Sequence, residues 1–229
     1  GMCANIAFSL SLYSGQMCTA PQNVWAPAAG IDTDDGHKSF DELAAGIAAA
    51  IDRLLGDPAR AAGICGAIAN PATMDRNAAD RVTGRVVRDS TAIEGQDGAR
   101  TATPLILSVD AAATDAHLEE RFGPIAYVVA TADVDDAITR AAKVAAEKGA
   151  ITAAIYATDE PVLTRAADAF ADAGVSLSCN LTGNIFVNQN AAFSDFHVSG
   201  ANPAGNASLT DGAFVANRFR VAAIRRPAA

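Results

Sequence analysis

The sequence predicts an α/β fold in which helices alternate with the strands of a mainly parallel sheet. From residue 104 onward, apolar segments of strand length alternate with amphipathic segments of helix length. These strand segments are apolar on both faces, which is typical of parallel strands buried between helices. Half of the 229 residues are hydrophobic but only 6% are aromatic, and such a composition favours closely packed helices over an all-β sandwich.

The first half of the chain is predicted to be mainly helical. A helix over residues 2–14 ends near Gly15, and the capping-box pattern of Ser39 and Glu42 begins a helix that runs to residue 55. Pro58 favours a further helix start, since proline is well suited to the first helical position. The remaining predicted segments are a strand at 22–26, a polar loop at 30–36, a helix at 77–82 and a polar loop or ragged hairpin at 85–98.

The second half is predicted to contain parallel βαβ units. Asp133 caps a helix over residues 134–148 that Gly149 ends, and a second helix runs from residue 159 to residue 173. Strands are predicted at residues 104–109, 125–130, 151–157, 175–177, 185–187 and 219–224. Residues 188–212 lack periodicity, and a loop of that length inside a compact domain is usually functional or stabilised by a partner.

The charge of the chain argues against two classes of partner. The net charge is −9 and the pI is about 4.7, whereas nucleic-acid binders carry a basic patch. Arg225 and Arg226 are the only clustered basic residues, which also disfavours binding to an anionic membrane surface. The apolar segment at residues 6–13 is too short and too polar in its surroundings to span a bilayer. We therefore expect no nucleic acid and no membrane as partner.

The cysteines and histidines indicate neither a disulfide framework nor a metal site. The four cysteines are irregularly spaced without a C-x-x-C pair, and the three histidines lie far from them in sequence. A disulfide framework is typical of much shorter secreted chains, so we expect a reducing, cytoplasmic compartment. His37 and His117 are expected to occupy exposed polar positions.

Cys18 is the most distinctive candidate for chemistry. It follows Gly15, which lets the backbone turn sharply, and small neighbouring residues leave space around its sulfur. A thiolate at this position could attack a carbonyl carbon, because deprotonated cysteine is strongly nucleophilic. The alternative is a small buried hydrophobe, as most unpaired cysteines are. The other three cysteines have no comparable setting and are expected to be structural.

Several motifs in consistent order resemble the aldehyde dehydrogenase superfamily. The segment Gly15-Gln16-Met17-Cys18 resembles its nucleophile motif, and residues 118–125, L-E-E-R-F-G-P-I, resemble its E-E-x-F-G-P motif. The strand at residues 151–159 and the strand ending in Asn188 also match. Residues 13–23 and 190–197 are similar to the ring-opening aldehyde dehydrogenases of phenylacetic acid degradation, the PaaN type.

The resemblance implies a three-layer sandwich around a mainly parallel sheet, which is the fold of the family's catalytic domain. Residues 1–229 would form this domain, with an oligomerisation strand and tail at residues 213–229 and a homo-oligomer as the assembly. We expect the family's N-terminal dinucleotide-binding domain to be absent from these residues, because no G-x-G-x-x-G or equivalent turn follows a strand. The family's general-base Glu and oxyanion-hole Asn precede its nucleophile, and neither is found before Cys18 here.

The resemblance also implies a reaction and roles for individual residues. Cys18 would attack an aldehyde and carry the acyl group as a thioester while NAD or NADP takes the hydride. Glu120 would hold the nicotinamide ribose hydroxyls and Phe122 would contact the nicotinamide. The narrower match implies a CoA-linked semialdehyde as the small-molecule substrate. The residues that could line the substrate mouth, or alternatively only pack the long loop, are Phe193, Phe196 and His197.

Two other interpretations stay open at this point. The chain could be an inactive fragment that self-associates through the terminal strand at residues 219–224, since bare terminal strands pair readily with a neighbour. It could also act as a thiol-dependent esterase at Cys18, which would require a lowered thiol pKa.

Overall fold

The computed structural model describes residues 1–96, 98–186 and 222–228. The chain divides into two compact units, the first formed by residues 1–137 and 182–186 and the second by residues 138–181 and 187–229. The first unit has a mainly parallel four-stranded sheet and a two-stranded antiparallel sheet, and the described residues of the second unit form a three-stranded parallel sheet.

The first unit combines a mixed sheet with several helices. Its helices are α1 (Met2–Ser11), α2 (Phe40–Leu55), α3 (Pro58–Cys65), α4 (Pro71–Asp80) and α5 (Thr114–His117), and α6 (Val134–Lys148) begins at its end. Its strands are β1 (Asn23–Pro27), β2 (Ile31–Thr33), β3 (Gly36–Lys38), β4 (Arg85–Arg88), β5 (Leu105–Asp110) and β6 (Ile125–Thr131).

The sheet of this unit has the strand order β1-β6-β5-β4. Strands β1, β6 and β5 run parallel, and β4 pairs antiparallel to β5 at one edge. The central strands β5 and β6 are buried almost throughout, with Leu105, Leu107, Tyr127 and Val129 fully enclosed. Burial of both strand faces explains why these segments are continuously apolar in the sequence.

Helix α2 begins with the capping box that the sequence predicts. Ser39 accepts a hydrogen bond from the Glu42 backbone N–H, while the Glu42 carboxylate accepts one from the Ser39 N–H. This reciprocal capping confirms the predicted helix start. The apolar residues at helical spacing all face the core, namely Leu43, Ile47, Ile51 and Leu55.

The second unit contains a parallel β-α-β arrangement. Strand β7 (Thr152–Ile155), helix α7 (Glu160–Asp172) and strand β8 (Ser176–Cys179) follow one another, and β8 pairs in parallel with both β7 and β9 (Ile224–Arg225). The buried residues of α7 are Val162, Leu163, Ala166 and Phe170. An ion pair between Arg226 and Glu160 ties the end of β9 to the start of α7.

Four predicted segments in the first unit differ from the structure. Residues 85–88, predicted as part of a polar loop or ragged hairpin, form strand β4, which pairs antiparallel with β5 at the edge of the sheet. Residues 30–36 are not a simple loop, because β2 and β3 form an antiparallel hairpin whose turn is held by the Thr33 hydroxyl donating to the Gly36 carbonyl at 2.7 Å. Helix α1 ends at Ser11 rather than at residue 14. Helix α4 begins before residue 77, because the Asn70 side chain caps it and Pro71 starts it.

The strand predicted at residues 185–187 is wrong for the two of these residues that the structure describes. The side-chain amide of Asn5 accepts from the Ile185 N–H at 2.7 Å and donates to the Ile185 carbonyl at 2.9 Å. Ser9 donates to the same carbonyl, and the rings of Phe8 and Phe186 lie in contact. Side chains of α1 therefore satisfy the backbone that a neighbouring strand would otherwise have paired.

The α/β fold with a mainly parallel sheet is confirmed. The predicted strands and helices between residues 104 and 179 occur in the predicted order, but the short helix α5 between β5 and β6 was not predicted. The terminal strand lies at Ile224–Arg225, and residues 219–221 of the predicted strand fall outside the described residues. In the part of the chain that the structure describes, no helix combines the length and the apolar composition needed to cross a bilayer.

Candidate active site

A left-handed turn connects helix α1 to the segment that carries Cys18. Tyr13, Ser14 and Gly15 have φ angles of 51°, 53° and 65°. This conformation is uncommon for residues other than glycine and costs about 1–3 kcal/mol for each. The buried Ser14 hydroxyl, which donates to the carbonyl oxygens of Cys65 (3.2 Å) and Ala102 (3.1 Å), offsets part of that cost.

Gln16 holds the next part of the turn. Its side-chain nitrogen donates to the carbonyls of Tyr13 at 2.9 Å and Ala67 at 3.0 Å, and its oxygen accepts from the Ala69 N–H at 3.2 Å. The hydrogen bonds to Ala67 and Ala69 therefore join the turn to the segment after α3. The strained backbone is therefore fixed by polar contacts on either side of Gly15.

Cys18 lies on an exposed loop between this turn and β1. The loop is closed by a hydrogen bond from the Ala20 N–H to the Met17 carbonyl at 3.0 Å. The alternative interpretation of Cys18 as a buried hydrophobe is wrong, because its side chain is exposed whereas Cys65 and Cys179 are buried. Burial raises the pKa of the Cys65 thiol to about 11, so that sulfur remains protonated near neutral pH.

The turn before Cys18 lies against the loop at residues 118–124. A Cβ atom placed on Gly15 would stand 2.3 Å from the Gly123 carbonyl oxygen and 3.1 Å from the Pro124 nitrogen. No side chain fits at such distances, and the positive φ of Gly15 also favours glycine. The structure thus brings together the two motifs that the sequence separates widely, one with Cys18 and the other with Glu120.

Gln22 connects the two loops by hydrogen bonds. Its amide nitrogen donates to the Glu119 carbonyl at 2.9 Å and to the His117 carbonyl at 3.2 Å, while its oxygen accepts from the Arg121 N–H at 2.6 Å. The neighbouring Asn23 donates to the His117 carbonyl at 2.8 Å. The main chain around Glu120 is therefore held by side chains from the start of β1.

Helix α4 holds the same loop from another side. Arg76 donates to the Phe122 carbonyl at 2.9 Å, and Asn77 donates to the Pro124 carbonyl at 3.1 Å. A Cβ on Gly123 would lie 2.5 Å from the Thr73 side chain. These α4 residues could not be predicted from the sequence, because nothing in the local pattern indicates which distant loop they reach.

Arg121 points toward a buried carboxylate of α4. Its Nε lies 3.5 Å from an oxygen of Asp80, which is only 7% exposed. Burial raises the pKa of the Asp80 carboxyl, and the Arg121 guanidinium opposes that rise. While Arg121 pairs with Asp80, its neighbours Glu120 and Phe122 remain exposed, the latter by 40%.

The two histidines that the structure describes differ in their surroundings. His37 is exposed as predicted, and its hydrogen bond to Asp32 at 2.9 Å raises its pKa. The prediction for His117 is wrong, because this residue is 1% exposed and packs edge-on against Trp25 with ring centroids 5.1 Å apart. It therefore belongs to the core beneath the loop rather than to the surface.

The predicted substrate-mouth residues Phe193, Phe196 and His197 lie outside the described residues, as does Asn188. Within the described ranges, no three His, Cys, Asp or Glu side chains are grouped so as to hold a metal ion. The site residues whose position is described are thus Cys18, Glu120 and Phe122, on two adjoining exposed loops.

Replacing Gly15 by alanine is expected to destabilise the chain. The new Cβ would meet the Gly123 carbonyl, and alanine at positive φ adds a further cost, so we expect a loss of more than about 1 kcal/mol in the free energy of unfolding. Urea denaturation of the purified chain measures this. Gly63→Ala in helix α3, where a Cβ meets nothing within 4 Å, is the matched control and should be neutral or stabilising. Equal stability of the two variants would contradict the close approach.

Alkylation of the folded chain is expected to modify Cys18 before the other cysteines. Cys18 is exposed, whereas Cys65 and Cys179 are buried with raised pKa values and Cys3 is half-buried with a raised pKa. Only thiolates react rapidly. Brief iodoacetamide treatment near pH 8 followed by peptide mass mapping gives the order, and labelling of Cys65 as fast as Cys18 would contradict the described burial. Denatured protein, in which all four should react alike, is the control.

Comparison with known proteins identifies the family to which these loops belong. Residues 2–210 match the aldehyde dehydrogenase family. The chain is 52% identical to an NAD-dependent aldehyde dehydrogenase from Burkholderia multivorans, with a TM-score of 0.84, and the match covers 96% of this chain and 40% of that one. The chain thus spans well under half the length of that relative.

More distant solved structures share the fold. An aldehyde dehydrogenase from Mycobacterium tuberculosis complexed with NAD+ is 21% identical with a TM-score of 0.58, covering 78% of this chain and 35% of that one. Proline utilization A from Bradyrhizobium japonicum is 19% identical with a TM-score of 0.59, covering 83% and 18%. A comparison with curated proteins gives no significant match. From the family match over residues 2–210 and the Burkholderia multivorans structure, the chain belongs to the aldehyde dehydrogenase family.

Proposed function

We propose that this chain supplies the nucleophile and part of the cofactor site of an NAD-dependent aldehyde dehydrogenase. The observation that carries the proposal is the contact between two loops, in which Gly15 lies against Gly123. This contact places the exposed loop of Cys18 beside the loop that exposes Glu120 and Phe122. In this proposal Cys18 is the nucleophile, the Glu120 carboxylate binds hydroxyl groups of the cofactor, and the Phe122 ring contacts its nicotinamide. This arrangement suits transfer of a hydride to NAD from a carbon that is bound to the Cys18 sulfur.

The residues present fit the nicotinamide end of the cofactor. The exposed Glu120 carboxylate can accept hydrogen bonds from two neighbouring ribose hydroxyls. Phe122 leaves 40% of its surface exposed, which offers a flat apolar surface for an aromatic ring. The Burkholderia multivorans relative is described as NAD-dependent and the Mycobacterium tuberculosis structure contains NAD+, which supports NAD as the cofactor. When bound, NAD accepts a hydride from the substrate carbon.

The proposed reaction has two stages on Cys18. In the first, the thiolate attacks the aldehyde carbon and forms a carbon–sulfur bond, and the oxygen becomes an oxyanion that the Cys18 backbone N–H helps to stabilise. Loss of the hydride from that carbon restores the carbonyl and leaves a thioester on the sulfur. In the second stage, water attacks the thioester, breaks the carbon–sulfur bond and releases the carboxylic acid together with the regenerated thiol.

The narrower resemblance supports a finer proposal about substrate and assembly. The motifs around Cys18 and at residues 190–197 favour a CoA-linked semialdehyde of phenylacetate degradation, with Phe193, Phe196 and His197 at the entrance for substrate. Residues 213–229 are proposed as the oligomerisation strand and tail of a homo-oligomer. The alternative is a module without activity that self-associates through its terminal strand, which includes β9 (Ile224–Arg225).

Replacing Cys18 by alanine tests the proposed nucleophile. In the complete protein product of the gene that encodes this chain, we expect turnover of aldehyde and NAD to fall by at least about 10³-fold, because the nucleophile forms every covalent intermediate. NADH formation is followed by its absorbance. Cys3→Ala, at a half-buried position, is the control and should retain turnover. Unchanged activity of the Cys18 variant would contradict the proposal, and an inactive wild type would favour the non-enzymatic module.

Replacing Glu120 by glutamine tests the proposed cofactor contact. Loss of a charged acceptor for the ribose hydroxyls should weaken binding by about 1.5–3 kcal/mol, which corresponds to a rise of roughly 10- to 100-fold in KM for NAD. Steady-state kinetics with varied NAD and saturating aldehyde measure this. Glu119→Gln makes the same change of charge at the adjacent exposed position and should leave KM within about twofold. Similar effects of the two substitutions would show that only the local charge matters.

A further inference from the structure

We propose that Gln22 is a positioning residue that fixes the backbone of Glu120 and so aims its carboxylate at the cofactor. The inference rests on the proposed function, in which Glu120 binds the nicotinamide ribose. Gln22 does not touch that group. It acts through the main chain of the loop at residues 118–124.

The hydrogen bonds of Gln22 reach both peptide groups that adjoin the Glu120 Cα atom. The Glu119 carbonyl, which accepts from the Gln22 nitrogen at 2.9 Å, belongs to the peptide group before Glu120. The Arg121 N–H, which donates to the Gln22 oxygen at 2.6 Å, belongs to the peptide group after it. Fixing both planes fixes φ and ψ of Glu120, and these two angles set the direction in which its side chain leaves the backbone.

The position of Gln22 itself is set by the sheet. Its carbonyl accepts from the Tyr127 N–H at 2.8 Å, and β1 begins at the next residue in register with Tyr127. Gln22 also ends the loop that carries Cys18, four residues earlier in the chain. One side chain anchored on the sheet therefore relates the nucleophile loop to the direction of Glu120.

In the described residues, the other side chains that contact this loop bind it on one side of Glu120 only. Asp80 binds the Arg121 side chain and Arg76 binds the Phe122 carbonyl, so both act after Glu120 in the chain. Asn23 and the longer third contact of Gln22, at 3.2 Å, reach the His117 carbonyl, which lies before Glu119. The hydrogen bonds of Gln22, by contrast, reach both peptide groups beside Glu120.

The chemistry requires a side chain that donates and accepts at the same time. A carboxamide does both. Leucine at this position does neither, and an ionised glutamate only accepts and would repel the Glu119 carbonyl oxygen. A protonated glutamic acid, however, has one O–H donor and one acceptor oxygen. Gln22→Glu should therefore restore the two contacts at low pH and lose one of them when the carboxyl ionises.

The experiment measures NAD binding by the complete protein product of the gene as a function of pH. For Gln22→Leu we expect the dissociation constant of NAD to rise about tenfold at every pH, as the loss of a typical hydrogen bond would produce. For Gln22→Glu, compared with wild type at the same pH, we expect a value within about twofold near pH 4, where a glutamic acid of ordinary pKa, about 4.3, is mainly protonated, and about tenfold higher near pH 8. Gln96→Glu is the matched control, because Gln96 is exposed and its side-chain nitrogen donates to the carbonyl of the adjacent Gly95.

A second measurement does not depend on the cofactor. Amide hydrogen exchange at Arg121 should be about tenfold faster in unliganded Gln22→Leu than in wild type, because its N–H has lost its acceptor. The KM for aldehyde should stay within about twofold, since Gln22 acts on the loop of Glu120. An effect on NAD binding without an effect on the KM for aldehyde distinguishes positioning from a general loss of structure. If Gln22→Leu folds poorly, the recovery of NAD binding by Gln22→Glu at low pH still tests the inference.

Each outcome decides the inference. Wild-type NAD binding by both variants, or a binding loss in Gln22→Glu that does not change with pH, would overturn it, as would unchanged exchange at Arg121. If wild type neither binds NAD nor oxidises aldehydes, the proposed function fails. Faster exchange at Arg121 would then still show that Gln22 fixes the main chain at Glu120, and unchanged exchange would overturn that role as well.

Discussion

The close approach of Gly15 to Gly123 is the constraint on which the site depends. The space between the two backbones is smaller than a methyl group, since a Cβ on Gly15 would lie 2.3 Å from the Gly123 carbonyl oxygen. Gly123 is crowded in turn by Thr73 of α4 at 2.5 Å from its own hypothetical Cβ. Backbone thus lies against backbone where the turn before Cys18 meets the loop at residues 118–124, and the Thr73 side chain of α4 packs against Gly123. These two contacts set the separation of the segments.

Such close packing is combined with strain that polar contacts offset. Tyr13 and Ser14 are held in a conformation that costs about 1–3 kcal/mol each, and the buried Ser14 hydroxyl and the Gln16 amide are bonded to segments after α3 and before β5. The backbone below Cys18 is therefore fixed while its side chain remains exposed. A nucleophile needs this combination, because an orientation held in advance lowers the entropic cost of reaching the transition state.

Elements governed by local interactions could be predicted from the sequence, and contacts between distant segments could not. The capping residues of α2 and α6, the apolar spacing of α2, and the apolar runs of β5 and β6 lie within short windows, and the structure agrees with them. Cys18, Glu120 and Phe122 were found through resemblance, and the structure places them on adjoining loops. The burial of His117 and the reach of Gln22 were missed because their partners lie about 90–100 residues away or are set by the sheet register.

Side-chain carboxamides hold several backbone segments that lie outside the sheets. Only 6% of the residues are aromatic, so few large side chains exist to hold loops by burial. Carboxamides take this role, because one amide offers the donor and the acceptor that a neighbouring strand would offer. Asn5 pairs in this way with both backbone groups of Ile185, Asn180 with both of Ala157, and Gln22 with the two peptide groups beside Glu120. Backbone groups outside the sheets are therefore hydrogen-bonded by side-chain amides, much as a neighbouring strand would bond them. The loop at residues 118–124, which the proposed chemistry requires, is held in the same way.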